Sequence, residues 1–181
     1  MTNNFGFISY SDQPPPDGKP AGPTFGHSKG VVMMDKTTGV WLLHSVPKFP
    51  KRDQNKFYPD TGAAKAQTFI CVTFNYNQFK QIGEHLLDIN AFTFDDRIPD
   101  DFHEELKKLR RTGNNNRTPR NNEVRIQELR SAGGTLFCSI ASNIVALPTT
   151  LSTLTRIRRK KTKIDLKEIF TSLLQRDTGL M

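Results

Sequence analysis

Three observations in this 181-residue chain predict an α/β fold. Short apolar or β-branched runs recur at 5–10, 31–34, 40–46 and 67–74, the pattern of strands. Two segments, starting near Asn77 and Asp100, instead space their apolar residues by three and four, as helices do. Stretches rich in Pro, Gly or polar residues separate these elements. The length fits one domain, and 35% hydrophobic with 24% charged residues is lean for a core without signalling disorder.

The elements follow in order. Phe5-Gly6-Phe7-Ile8-Ser9-Tyr10 reads as a strand. Residues 11–25 hold a Pro/Gly-rich loop. Residues 27–46 read as a β-hairpin, with a turn at Asp35–Gly39. Residues 47–66 are polar and carry prolines, a second loop. The run at 67–74 is a β-branched strand. Asn77 to Leu87 is helical, with Phe79, Ile82, Leu86 and Leu87 on one face. Phe92-Thr93-Phe94 is a short strand. Asp100-Asp101 offers a cap for a helix whose buried stripe is Phe102, Leu106 and Leu109. Residues 111–122 are rich in Asn and Arg and read as a mobile loop; their Asn116-Arg117-Thr118 sequon is followed at once by Pro119, which argues against its use. In the tail, Asp165 caps an amphipathic helix bearing Ile169, Phe170, Leu173 and Leu174.

Chemistry concentrates in the hairpin. His27 and Lys29 are two apart, so on a strand they share a face. One supplies an imidazole that attacks or transfers a proton, the other a fixed cation, a pairing suited to phosphoryl chemistry. His44 lies on the return strand. If Asp35 faces Thr38 across the turn, His44 falls opposite Lys29 and the three side chains converge; a slip of one residue turns His44 to the other face. Trp41, on the same strand, reads as core. Lys48, Lys51 and Arg52 follow the hairpin and are candidates for contact with a phosphate backbone. The nearest carboxylates in sequence are Asp35 and Asp53, and no Asp, Glu or His grouping shows metal-ligand spacing, so neither a metal nor another cofactor is expected.

The run GHSKGVVMMDKTTGVWLLHSVPKFP, residues 26–50, resembles the first His-x-Lys segment of the deoxyribonuclease II family, with His44 seventeen positions after His27 as in that pattern. Tyr10-Ser11-Asp12-Gln13-Pro14-Pro15, Lys65–Phe74 and Gln127–Gly134 resemble flanking family segments in the same order. The resemblance implies a phospholipase D-like fold of two similar halves, each giving one His-x-Lys to a shared site. Residues 5–137 would be one such half-domain, incomplete by itself, a mixed β-sheet with flanking helices. It further implies acid, metal-independent endonucleolytic hydrolysis of DNA to 3′-phosphate products. One histidine would attack phosphorus, the other would protonate the leaving oxygen, and the lysines would hold the non-bridging oxygens. His27, Lys29 and His44 are the catalytic candidates on this reading. An imidazole titrating at about 6.5 suits a site working in acid.

The chain also departs from the family pattern. It has no second His-x-Lys, since neither His85 nor His103 is followed by lysine two residues on. A homodimer would restore the pair by two-fold symmetry. The family implies a lysosomal or secreted setting, yet Met1-Thr2-Asn3-Asn4 has no signal-peptide character, and no run suits a membrane span. The only cysteines are Cys71 and Cys138. The residues themselves favour two buried free thiols and leave a mutual disulfide open, while the resemblance implies a partner for Cys71 in an opening segment not seen here. From Cys138 the sequence leaves the family pattern, so 138–181 is read as a divergent basic tail arising from a changed reading frame, exon or gene model. Five of the eight net positive charges lie from Thr155 onward. A non-catalytic protein binding nucleic acid or a partner through that tail is therefore the alternative function.

Overall fold

The computed structural model describes residues 4–16, 20–51, 58–110 and 124–142. All belong to one compact unit, Met1–Val145. The expected tail helix, the 111–122 loop with its sequon, and Arg52 lie outside the described residues.

Five strands form the main sheet: β1 (Gly6–Ser11), β2 (Lys29–Met34), β3 (Thr38–His44), β4 (Phe69–Asn75) and β5 (Thr93–Arg97), in the spatial order β4-β3-β2-β1-β5. Two more, β6 (Val124–Arg130) and β7 (Leu136–Ser142), make a separate hairpin. Among the described residues the α-helices are α1 (Asp60–Ala63), α2 (Phe79–Asp88) and α3 (Glu104–Lys107), with a 3-10 turn at Tyr76–Gln78 leading into α2. The α/β expectation holds, but the sheet is not mixed: every pairing among the described strands is antiparallel. β1 to β4 lie side by side in chain order, joined by a tight turn only between β2 and β3, and β5 returns to pair with β1 at the other edge.

Period-two alternation sorts the strands into two faces. Ile8, Tyr10, Val32, Met34, Trp41 and Phe74 point into the core, where α2 contributes Phe79, Ile82 and Leu86, and α3 brings Leu106. Full burial of one such side chain contributes roughly 1.5–3 kcal/mol. Trp41 is core, as read, and its indole Nε1–H donates to the Tyr10 hydroxyl at 3.0 Å. The β2–β3 turn is closed by Asp35, whose Oδ1 accepts the amides of Thr37 and Thr38 at 2.6 and 2.8 Å. Those two amides hold its carboxyl below the ordinary carboxylate range.

Four local readings need correction. The 47–66 loop contains α1. The cap of α3 is His103, with no side-chain capping bond, because Asp100 and Asp101 turn outward to Arg110 and Lys36. Cys71 is an exposed thiol on the edge strand β4, and Cys138 is half-buried, so the two are not both buried. The β6–β7 hairpin is an element with no counterpart in the sequence reading, and β7 runs unbroken from Leu136 through Cys138 to Ser142. The hairpin docks through Leu129, Phe137 and Ala141 and through polar bonds to α2. Arg125 reaches Asp88 at 3.1 Å, Gln127 reaches Glu84 at 3.3 Å, and the Ser139 hydroxyl meets His85 Nδ1 at 2.7 Å. Ile126, Leu136 and Ile140 stay exposed.

Candidate active site

The register of the β2–β3 hairpin decides the geometry. Gly30 pairs with Leu43 and Met34 with Gly39, and the Asp35 amide donates to Thr38 O at 2.9 Å. One step further along this register sets His44 opposite Lys29, on one face. On the other side of β2, Ser11 of β1 pairs with Lys29. The chain leaves β1 at that point, so Asp12 arrives beside the entrance of β2, where its amide donates to Ser28 O at 3.1 Å.

Asp12 is the residue that sequence reasoning passed over. Its Oδ2 meets His27 Nδ1 at 2.5 Å and its Oδ1 meets Lys29 Nζ at 2.6 Å. One carboxylate thus joins both members of the His-x-Lys pair. Asp35, named as a near carboxylate from sequence, instead closes the turn at the far end of the hairpin. Asp53 lies outside the described residues. The sequence carried a signal for Asp12: it directly follows a strand that must pair with β2, inside a segment recognised only for its likeness.

The loop bearing His27 is pinned from behind. The Gly26 amide donates to Asn90 O at 3.1 Å, and Asn90 Nδ2 donates to Thr24 O at 2.8 Å. A Cβ on Gly26 would lie 2.0 Å from Ile89 O, so only glycine permits this approach. Phe25 packs edge-on against Phe92 at 4.8 Å between centroids. Held this way, the His27 side chain is 84% exposed while that of Lys29 is 5% exposed. The imidazole faces solvent and the ammonium is enclosed.

His44 is buried between Phe49, edge-on at 5.0 Å, and Phe69, stacked at 6.0 Å. Its Nδ1 accepts the Val46 amide at 3.2 Å. Its Nε2 is buried and finds no hydrogen-bond partner among the described residues. Burial, reinforced by the Lys29 ammonium, pushes its pKa down to about 4, so the ring stays neutral in mild acid. The sequence could not announce this environment, because Phe49 and Phe69 come from a loop and a different strand.

Among the weaker candidates, Lys48 is exposed, and its amide donates to Gln13 O at 2.8 Å, tying its loop to the Asp12 segment. Lys51 is half-buried in the same loop, and Arg52 lies outside the described residues.

The family model for Deoxyribonuclease II matches residues 1–154. This chain belongs to the deoxyribonuclease II family. It is 38% identical over 108 residues to deoxyribonuclease-2-beta of Homo sapiens, covering 58% of this chain and 29% of that protein. Plancitoxin-1 of Acanthaster planci is 39% identical over 97 residues, 53% of this chain and 27% of its own length. Deoxyribonuclease-2-beta of Mus musculus is 34% identical over 142 residues, 78% and 40% respectively. The chain thus spans less than half the length of these deoxyribonuclease II relatives. No helix among the described residues is long and apolar enough to cross a membrane.

Proposed function

We propose that this chain contributes one half of a metal-independent acid endodeoxyribonuclease site, with His27 as nucleophile. The described sheet is, on this reading, one half of a phospholipase D-like pair. The observation that carries the proposal is the shared Asp12 carboxylate, which brings His27 and Lys29 together while leaving His27 exposed. An exposed, oriented imidazole next to an enclosed cation is what in-line attack on a phosphodiester needs.

In the proposed reaction the free nitrogen of His27 attacks phosphorus. A P–N bond forms and the bond to the 5′ oxygen breaks. That oxygen takes a proton from a second histidine on the far side of phosphorus. Water then attacks the phosphohistidine, breaks P–N, and leaves a 3′-phosphate. Lys29 holds the charge of a non-bridging oxygen throughout. The second histidine would come from a second copy of the chain, since two-fold symmetry duplicates the cluster. Lys48, Lys51 and Arg52 would flank the path of the DNA backbone. Family membership favours a lysosomal or secreted setting.

The test is a plasmid nicking assay on the purified chain and its His27→Ala variant, at about pH 5 with chelator, together with sedimentation to follow dimerisation. The expected result is chelator-resistant cleavage with 3′-phosphate ends, lost in the variant. Metal-dependent cleavage, or full activity without His27, sinks the proposal. Salt-sensitive DNA binding without cleavage would instead favour the basic-tail reading.

A further inference from the structure

We infer that the site locks its two histidines in opposite tautomers, with Asp12 fixing His27 as the Nδ1–H form and the Val46 amide fixing His44 as the Nε2–H form. Which ring nitrogen carries the proton is set by the hydrogen bond at the other. Asp12 Oδ2 is acceptor only, so the 2.5 Å contact requires a proton on His27 Nδ1. Nε2 of His27 is then the bare, nucleophilic nitrogen on an exposed ring. The Val46 amide is donor only, so His44 Nδ1 must hold a lone pair. The proton of the neutral His44 ring therefore sits on Nε2, the buried atom without a partner among the described residues.

A buried donor left without an acceptor is costly. A non-bridging phosphate oxygen, drawn to the neighbouring Lys29 ammonium, would accept its proton. Ser28 Oγ, also buried and without a partner among the described residues, lies in the same chain segment, between His27 and Lys29. Asp12 is thus a positioning residue: it acts through His27 and Lys29 and touches no substrate atom. These roles rest on the nuclease reading, whereas the tautomers themselves do not.

The experiment is two-bond 1H–15N correlation NMR on the 15N-labelled full chain at about pH 8, above the ordinary imidazole value of about 6.5. His27→Gln and His44→Gln assign the two ring systems. The expected spectrum shows His27 with a protonated Nδ1 and a bare Nε2, and His44 with the reverse. In Asp12→Ala the His27 pattern should collapse to a mixture of tautomers while His44 keeps its own. Asp12→Asn keeps the shape but offers one oxygen to two donors, so it should give a partial loss if the alanine variant does not fold. A His27 ring bearing its proton on Nε2, or a His27 pattern indifferent to Asp12, overturns the inference. Nicking assays run in parallel separate the two claims. Asp12→Ala should lower kcat at least tenfold with little change in KM. Locked tautomers in a chain that never cuts DNA would reject the nuclease reading and leave the lock standing.

Discussion

The two ends of the β2–β3 hairpin carry nearly the same parts and use them differently. At one end stand Lys29, two histidines, Asp12, Phe49 and Phe69; at the other stand Lys36, His103, Asp101, Tyr76 and Phe102. Around the turn the polar groups are satisfied locally. Lys36 bonds to the Asp101 carboxylate at 2.9 Å and to its carbonyl, and it lies 5.2 and 4.7 Å above the rings of Tyr76 and Phe102. The bond to Asp101 raises the Lys36 pKa and lowers that of Asp101. His103 stacks on Tyr76 at 4.4 Å, with Nε2 against the Tyr76 carbonyl. At the Lys29 end, His27 is exposed and His44 Nε2 is without a partner among the described residues. The same residue types make a fastening at one end and, at the other, the proposed reactive site. What separates them is whether their hydrogen-bonding capacity is used up.

This contrast can be broken by exchange of roles. The largest effect expected is from His27→Ala, which should reduce acid DNA cleavage at least about 100-fold, while His103→Ala leaves it unchanged. Nicking assays on the two variants would decide it; equal losses would end the distinction. Next is His44→Phe. The ring would still pack between Phe49 and Phe69, and the orphaned nitrogen would be gone. The buried Val46 amide would lose its acceptor at the same time, so the two effects oppose each other: cleavage should fall at least tenfold while urea stability changes by no more than about 1 kcal/mol. A loss of stability together with activity would instead make His44 structural.

A smaller effect is expected from pH. Burial pushes His85 down to about 4, partly offset by the Asp88 carboxylate. Its folded value lies below the ordinary value of about 6.5, so the unfolded chain takes up the proton first. His85 should therefore cost on the order of 3 kcal/mol of stability as pH drops from about 6.5 to about 4, and His85→Gln should reduce the slope in urea titrations, leaving the similar share that His44, also held at about 4, contributes. An unchanged slope would remove His85 from the account. The smallest effect belongs to Lys36→Met, a surface ion pair, which should leave both cleavage and the urea midpoint nearly unmoved.

Much of this structure was legible because local rules and tertiary packing agree. The β1 run, the β2–β3 hairpin and α2 each carry a periodicity that matches the face they bury, while β4 was legible by its apolar, β-branched composition although Phe69 and Ile70 stay exposed. The Asp35 turn fixed the register that sets His44 opposite Lys29, one of the two alternatives the sequence left open. The β6–β7 hairpin was illegible for the opposite reason. Its docked face mixes Arg125 and Gln127, which meet polar residues of α2, with the buried Leu129, while Ile126 on the other face is exposed. An apolar-in, polar-out rule misreads such a strand. Asp12 was hidden because a carboxylate in a Pro-rich loop carries no periodic signal. Only the Ser11–Lys29 pairing brings it to the site.

Gly30 separates Lys29 from the rest of β2, and its consequence is a matter of sequence variation. A Cβ there would lie 2.3 Å from the Tyr10 hydroxyl and 2.6 Å from Leu42 O. That hydroxyl is the acceptor of the Trp41 indole, and burial raises its pKa, so Tyr10 stays neutral at the centre of the core. Even the smallest side chain at position 30 would push β2 away from β1 and β3 together, and Lys29 would leave both Asp12 and His44. A single-nucleotide change at this codon would dismantle the proposed site while His27, Lys29 and His44 all remained in the sequence, so a survey of inherited variants that scored only those three would pass it as harmless.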